Sequence, residues 1–333
     1  MAKERIHWVD IAKGLLILLL LIHHFGSAIK GSIIPKEDFS FVGAWQFVFT
    51  AFFMQAFLFM SGFCSSFTTP VDVFLKKLLK QLIVPFCFFE LITCTYWSSS
   101  DRFSIHAVLD YWIESGGTHY WFLNALILSK VYIYIFLRLY KNEYSLIISS
   151  LLLLIVAIVL NDYDIGYNFF CFRQSLGSIF FVALGFFVKS RQELFEKSLK
   201  WGGIIYVFAL FFLFIVLGKR PPVFTAIMAL KIVSLPVFGV TSITGIMAFT
   251  LICEKIKESK ILEYWGRNSL VVYGVHFIPL HFFVLNFYEL MLPDTLLSRL
   301  LFLLIVYSAE FIICTFFMEL FKRVPLKWVV GKY

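Results

Sequence analysis

Residues 15–22 read LLILLLLI, eight consecutive branched aliphatic side chains, and comparable apolar runs recur along the 333-residue chain with short clusters of lysine and arginine between them. A bilayer crossing needs about 20 mostly apolar residues. Backbone amides in lipid must also be satisfied within the segment, which a helix does by itself. Composition points the same way. Apolar residues make up 60% of the chain and charged ones 15%, against roughly 45–50% and 25% in soluble domains. So few charges cannot cover a globular surface. Ten spans would consume about 200 residues and leave loops of about a dozen each, with no room for a sizeable extramembrane domain. The expectation is an all-α, polytopic membrane bundle of about ten transmembrane helices, forming a single domain over residues 1–333.

The spans are expected near 11–29, 42–65, 78–97, 119–139, 145–160, 169–188, 201–217, 232–253, 268–291 and 298–321. Lys231 and Pro236 interrupt the approach to the eighth, so 219–231 reads as an interfacial segment. With the N-terminus inside, 20 Lys and Arg fall on cytoplasmic segments and 8 outside, with Lys130 inside a span. That bias predicts both termini cytoplasmic and an even number of spans. It also accounts for the net charge of +8 without a nucleic-acid partner. The start of the chain imitates a signal peptide, but Asp10, Lys13 and His23-His24 break the pattern, so the first span is expected to stay. The six cysteines lie mostly in apolar stretches and show no CxxC spacing. They read as packing residues, with no metal site expected.

Ionisable side chains inside spans are functional candidates by default. At 1.5 Å per residue, His24 lies about 16 Å beyond Lys13, near the middle of a ~30 Å core. Glu90, counted from Lys80, and His276, counted from Arg267, reach similar depths; so do Lys130 and Glu310 counted from the outside. Interhelical pairing, such as Lys130 with Glu90 or Glu310, explains some of them without function. His24 stands apart by helical phase. Eleven residues at 100° return to within about 20°, so Lys13 and His24 share one face, with Asp10 one turn earlier. A positive entrance suits an anionic ligand, and a neutral imidazole at that depth can take a proton from a hydroxyl. His23, rotated by about 100°, points elsewhere. The outer segment 101–118 reads as an amphipathic helix able to lie in the interface or roof a site.

These residues carry a resemblance. WVDIAKG at 8–14, followed by an apolar run to His24, resembles the opening of the integral-membrane acyltransferase-3 family, with its Arg or Lys, ten residues, then His. AFLFMSGF at 56–63, KKLLKQLIVPF at 76–86, YWFLNALIL at 120–128 and WGRNSLVVYGVH at 265–276 are similar to later family elements, in order. Lysine at position 13, where arginine is frequent, and the pair Lys77 and Lys80 keep the charge but lose the bidentate fork.

The resemblance implies acyl transfer, usually of acetyl, from cytoplasmic acetyl-CoA to a sugar hydroxyl of a lipid-linked or cell-surface glycan, at a bacterial inner membrane. In that reading His24 is the general base, acetyl-histidine being a less favoured variant. Lys13 orients coenzyme A or anchors the first helix, and Lys13, Lys77, Lys80 and Arg267 meet its phosphates. Asn124 or Asn268 would donate to the developing oxyanion. His119, Trp121, Glu90 and His276 are the substrate-side candidates. Partners are then acetyl-CoA, a glycan acceptor and membrane lipids, with a homo-oligomer left open. Two other classes compete. A transporter or flippase of a lipid-linked or anionic substrate also wants midplane charges, though two corresponding halves with broken spans are not visible. A non-catalytic partner of a membrane assembly would require no phase relation between Lys13 and His24.

Overall fold

A computed structural model of the protein describes residues 7–31, 48–97, 120–165, 169–218, 232–291, 295–323 and 326–330. In chain order its main helices are α1 (His7–Gly31), α2 (Phe53–Phe63), α3 (Val71–Leu78), α4 (Val84–Trp97), α5 (Trp121–Tyr140), α6 (Glu143–Asp162) and α7 (Phe172–Lys189). There follow α8 (Gln192–Phe211), α9 (Leu235–Lys255), α10 (Lys260–Arg267), α11 (Ser269–Val275), α12 (Phe277–Met291) and α13 (Leu296–Leu320). Among the described residues eight helices are long and apolar enough to cross a bilayer, or nine if the bent pair Ser269–Val275 and Phe277–Tyr288 is one span; within the expected second span lies the shorter apolar helix Val48–Phe63. The protein is a polytopic helical membrane bundle.

Prolines explain two of the irregularities. A π-helical turn, Leu79–Ile83, joins α3 to α4 into one continuous span, Val71–Tyr96. Pro85 has no N–H for the carbonyl four residues back, and its ring crowds that carbonyl, so the ladder widens there. Pro279 acts likewise on the carbonyl of Val275, and the span bends by 44° between α11 and α12. Pro236, read from sequence as an interruption, sits instead in the first turn of α9, where no N–H is needed. The seventh span begins at Gln192 rather than near 201. Residues 192–200 are too polar to score as lipid-facing, yet they continue the same helix.

Short connections are chemically specified. Lys141 adopts φ 50 at the end of α5, and the Asn142 side chain accepts from Tyr144 N at 2.9 Å and Ser145 N at 3.1 Å to start α6. A left-handed residue followed by an N-cap reverses the chain in two residues. Thr295 and Ser298 form a reciprocal capping box on α13.

Contacts divide the chain into two compact units, one made of Met1–Phe49 with Glu258–Tyr333 and one of Thr50–Lys257. In the second, α2 and α7 cross backbone to backbone. A Cβ on Gly62 would lie 1.9 Å from the Val182 carbonyl oxygen, and one on Gly185 1.9 Å from that of Phe59. Only glycine permits this approach, which in lipid is driven by close packing rather than by hydrophobic transfer. In the first unit, α1, α12 and α13 bury Phe25, Leu280, Val284, Phe302 and Val306 as one cluster. There α1 and α10 repeat the glycine device. A Cβ on Gly14 would meet the Leu262 carbonyl oxygen at 2.1 Å, and one on Gly266 that of Asp10 at 1.8 Å.

Candidate active site

The expected stripe on α1 exists because the helix runs unbroken from His7 to Gly31. Asp10 is buried, while Lys13 and His24 are partly buried. Towards the start of α1, the glycine crossing with α10 has Lys13 and Arg267 as the chain neighbours of its two glycines, Gly14 and Gly266. Arg267 is exposed there. Helix α10 is held from its other side as well. The Tyr264 hydroxyl donates to the Glu319 carboxylate, Lys322 donates to the same carboxylate at 2.7 Å, and its ammonium stands 4.3 Å from the Tyr264 ring centroid. The Asn268 amide donates to the Tyr264 carbonyl at 2.8 Å, closing the end of α10. The sequence reading missed this clamp, although Tyr264 and Lys322 both sit in segments assigned to the cytoplasm.

At the deep end His24 meets the bend between α11 and α12. Its ring centroid is 4.9 Å from that of His276 and 5.8 Å from that of Phe277. His276 is the residue at the break and is 3% exposed. Its Nδ1 lies 2.9 Å from the Tyr273 carbonyl oxygen and 3.2 Å from that of Val272. Carbonyls only accept, so Nδ1 carries the proton and Nε2 the lone pair. That Nε2 is buried with no hydrogen-bond partner among the described residues. His23 packs against His24 edge-on at 5.5 Å. Glu310, on α13, is fully buried, and neither carboxylate oxygen has a partner among the described residues. Of the five groups expected near the midplane, the first unit therefore holds His24, His276 and Glu310, and it brings the two histidines together.

Glu90 and Lys130 belong to the second unit. Glu90 is buried on α4. Three residues on, Thr93 shares a 2.9 Å hydrogen bond with the Tyr120 hydroxyl, which pins the entrance of α5. Lys130 lines a cavity of about 210 Å³ together with Lys77, Gln81, Ser65, Ser66 and Thr69. Lys80 lies outside that lining, partly buried in the π-helical turn. Gln81 was not singled out from sequence, though it lies four residues after Lys77 and so on the same helical face. Trp121 is partly buried at the first residue of α5. The amide nitrogen of Asn124 is buried without a partner among the described residues. His119 and segment 101–118 lie outside the described residues.

Long apolar helices define an integral, multi-pass membrane protein, and the first unit sets the half-buried His24 beside the buried His276. Residues 6–319 match the family model described as an acyltransferase domain, and the chain belongs to that acyltransferase-3 family. It is a membrane acyltransferase. No curated protein and no solved structure matches it.

Proposed function

We propose that the protein moves an acetyl group from cytoplasmic acetyl-CoA to a hydroxyl of a cell-surface or lipid-linked glycan at a bacterial inner membrane, with His24 as general base. The observation that carries this reading is the position of His24, half-buried on the Lys13 face of α1 and set against the break of a bent span. An imidazole there takes the proton of the acceptor hydroxyl as its oxygen attacks the thioester carbonyl. The new C–O ester bond forms, the C–S bond breaks, and the proton passes from the imidazolium to the departing thiolate. Lys13 and Arg267, each next in sequence to a glycine of the α1–α10 crossing, supply the positive charge that suits the phosphates of the donor. Within the second unit, the cavity lined by Lys77 and Lys130 suits a phosphate-sized anion, with Lys80 one turn beyond Lys77. Trp121 offers an aromatic face to a sugar ring, and Glu90 an acceptor for sugar hydroxyls.

The test is transfer of label from acetyl-CoA to extracted surface glycans in membranes carrying matched amounts of wild type or His24→Ala. Labelling by wild type and none by the variant is expected. Equal labelling would refute the role of His24. A bent span is also what a transporter uses to expose backbone to its cargo. Wild type that leaves the thioester unconsumed would favour that second reading.

A further inference from the structure

We propose that His276 is the positioning residue for His24: its bare Nε2 accepts a hydrogen bond from one ring N–H of His24, directly or through one water, and so leaves the lone pair of the other nitrogen for the acceptor hydroxyl. The inference rests on the reading of His24 as the base. Three features of the first unit carry it. The bend at Pro279 places residue 276 at the break of the span, where its side chain reaches α1. The proton of His276 is committed to Nδ1 by two backbone carbonyls, at 2.9 and 3.2 Å. The opposite nitrogen is buried without a partner among the described residues. The two rings, 4.9 Å apart and inclined at 54°, are within one hydrogen bond or one bridging water of each other.

A general base needs its tautomer fixed as much as its basicity. A neutral imidazole has one donor and one acceptor nitrogen, and the group bonded to one decides which the other is. In hydrolase triads a carboxylate does this for the histidine. Here the same duty falls to a second imidazole, itself set by the chain's own backbone. No proton leaves the pair: the N–H shared with His276 stays on His24 throughout, and only its other nitrogen gains and loses the proton of the acceptor. A carboxylate at that place would add a full charge to the interior of the bundle; a tautomerically locked histidine adds none.

The experiment combines ring-nitrogen NMR of ¹⁵N-histidine-labelled protein in nanodiscs with acetyl-transfer kinetics for wild type, His276→Gln and His276→Leu. Glutamine keeps an acceptor near the position of Nε2, whereas leucine keeps only volume. In wild type, His276 is expected as the Nδ1–H tautomer and His24 as one dominant tautomer. In His276→Leu the two His24 tautomers should mix, and kcat should fall about 10- to 100-fold, the usual loss when the outer partner of a functional imidazole is removed. The KM for acetyl-CoA should hold, and His276→Gln should recover most of the rate. A proton on Nε2 of His276 in wild type would overturn the proposal, and that measurement requires no variant to fold. Equal rates for glutamine and leucine, or an unchanged His24 tautomer in the leucine variant, would also overturn it. Wild type with the expected tautomers but no acetyl transfer would instead refute the acetyltransferase reading and leave the pairing standing.

Discussion

The imidazoles of His24 and His276 lie 4.9 Å apart, one from an unbroken helix and the other from the break of a bent one. Residue 24 is therefore distinguished from its neighbour 23 by direction and not by depth. Replacing His24 with alanine should lower acetyl transfer by about 10²–10⁴, the usual contribution of a positioned base. His23→Ala should cost less than about tenfold, because its ring points about 100° away around the helix. Rates in matched membranes check this, and equal losses at both positions would sink the assignment by phase.

Gly266→Ala should destabilise the first unit by about 1–3 kcal/mol or more, the penalty for overpacking a close contact. The added methyl would meet the Asp10 carbonyl oxygen at 1.8 Å, and backbone cannot move aside cheaply. Gly239→Ala is the control. Nothing lies within 4 Å of a Cβ at that position in α9, so helix propensity should make it neutral or stabilising by up to about 1 kcal/mol. Heat-dependent loss of soluble protein in detergent orders the two variants.

Lys77→Ala should raise the KM for acetyl-CoA by about 10- to 100-fold, the worth of a charge-assisted hydrogen bond at about 1.5–3 kcal/mol. The turnover number should change little, because such a contact holds ground state and transition state alike. An unchanged KM would remove the cavity shared by Lys77 and Lys130 from the donor's path.

The Tyr264 clamp gives a pH signature. Burial, and then the hydrogen bond to Glu319, push the Tyr264 phenol above its ordinary value. A group whose pKa rises on folding contributes its full stability below the unfolded value, about 10 for tyrosine, and loses it as pH climbs through the folded value. The melting-temperature gap between wild type and Tyr264→Phe should thus stay constant from about pH 6 to 9 and close above about pH 10. The gap is read by thermal shift. A gap that widens at high pH would mean that the phenolate, not the phenol, is the bound form.

Most of the span pattern was legible in the sequence, because lipid demands long apolar runs and basic flanks mark their ends. Polar helix lying beyond the lipid carries no such mark, so Gln192–Lys200 was left out of the seventh span although α8 includes it. Proline was visible but its effect was not. Pro236 starts a helix, Pro85 widens one and Pro279 bends one, depending only on where in the hydrogen-bond ladder it falls. The phase of His24 relative to Lys13 followed from counting along one unbroken helix. Its meeting with His276 did not, since which spans adjoin is decided by contacts such as Phe25 with Phe302 and Tyr307, which no single-helix pattern encodes. Gly62, noticed as part of a motif, likewise proved to be a crossing point between helices.

The crossing of α1 and α10 also makes α1 a lever. With its fulcrum at Gly14, the arm out to His24 is about 15 Å long, ten residues at 1.5 Å each. A rock of only about 4° at the fulcrum would swing the imidazole about 1 Å, a displacement that by itself is able to cost about 100-fold in rate. Whatever loads or unloads the small helix α10 is in this way geared to the position of His24.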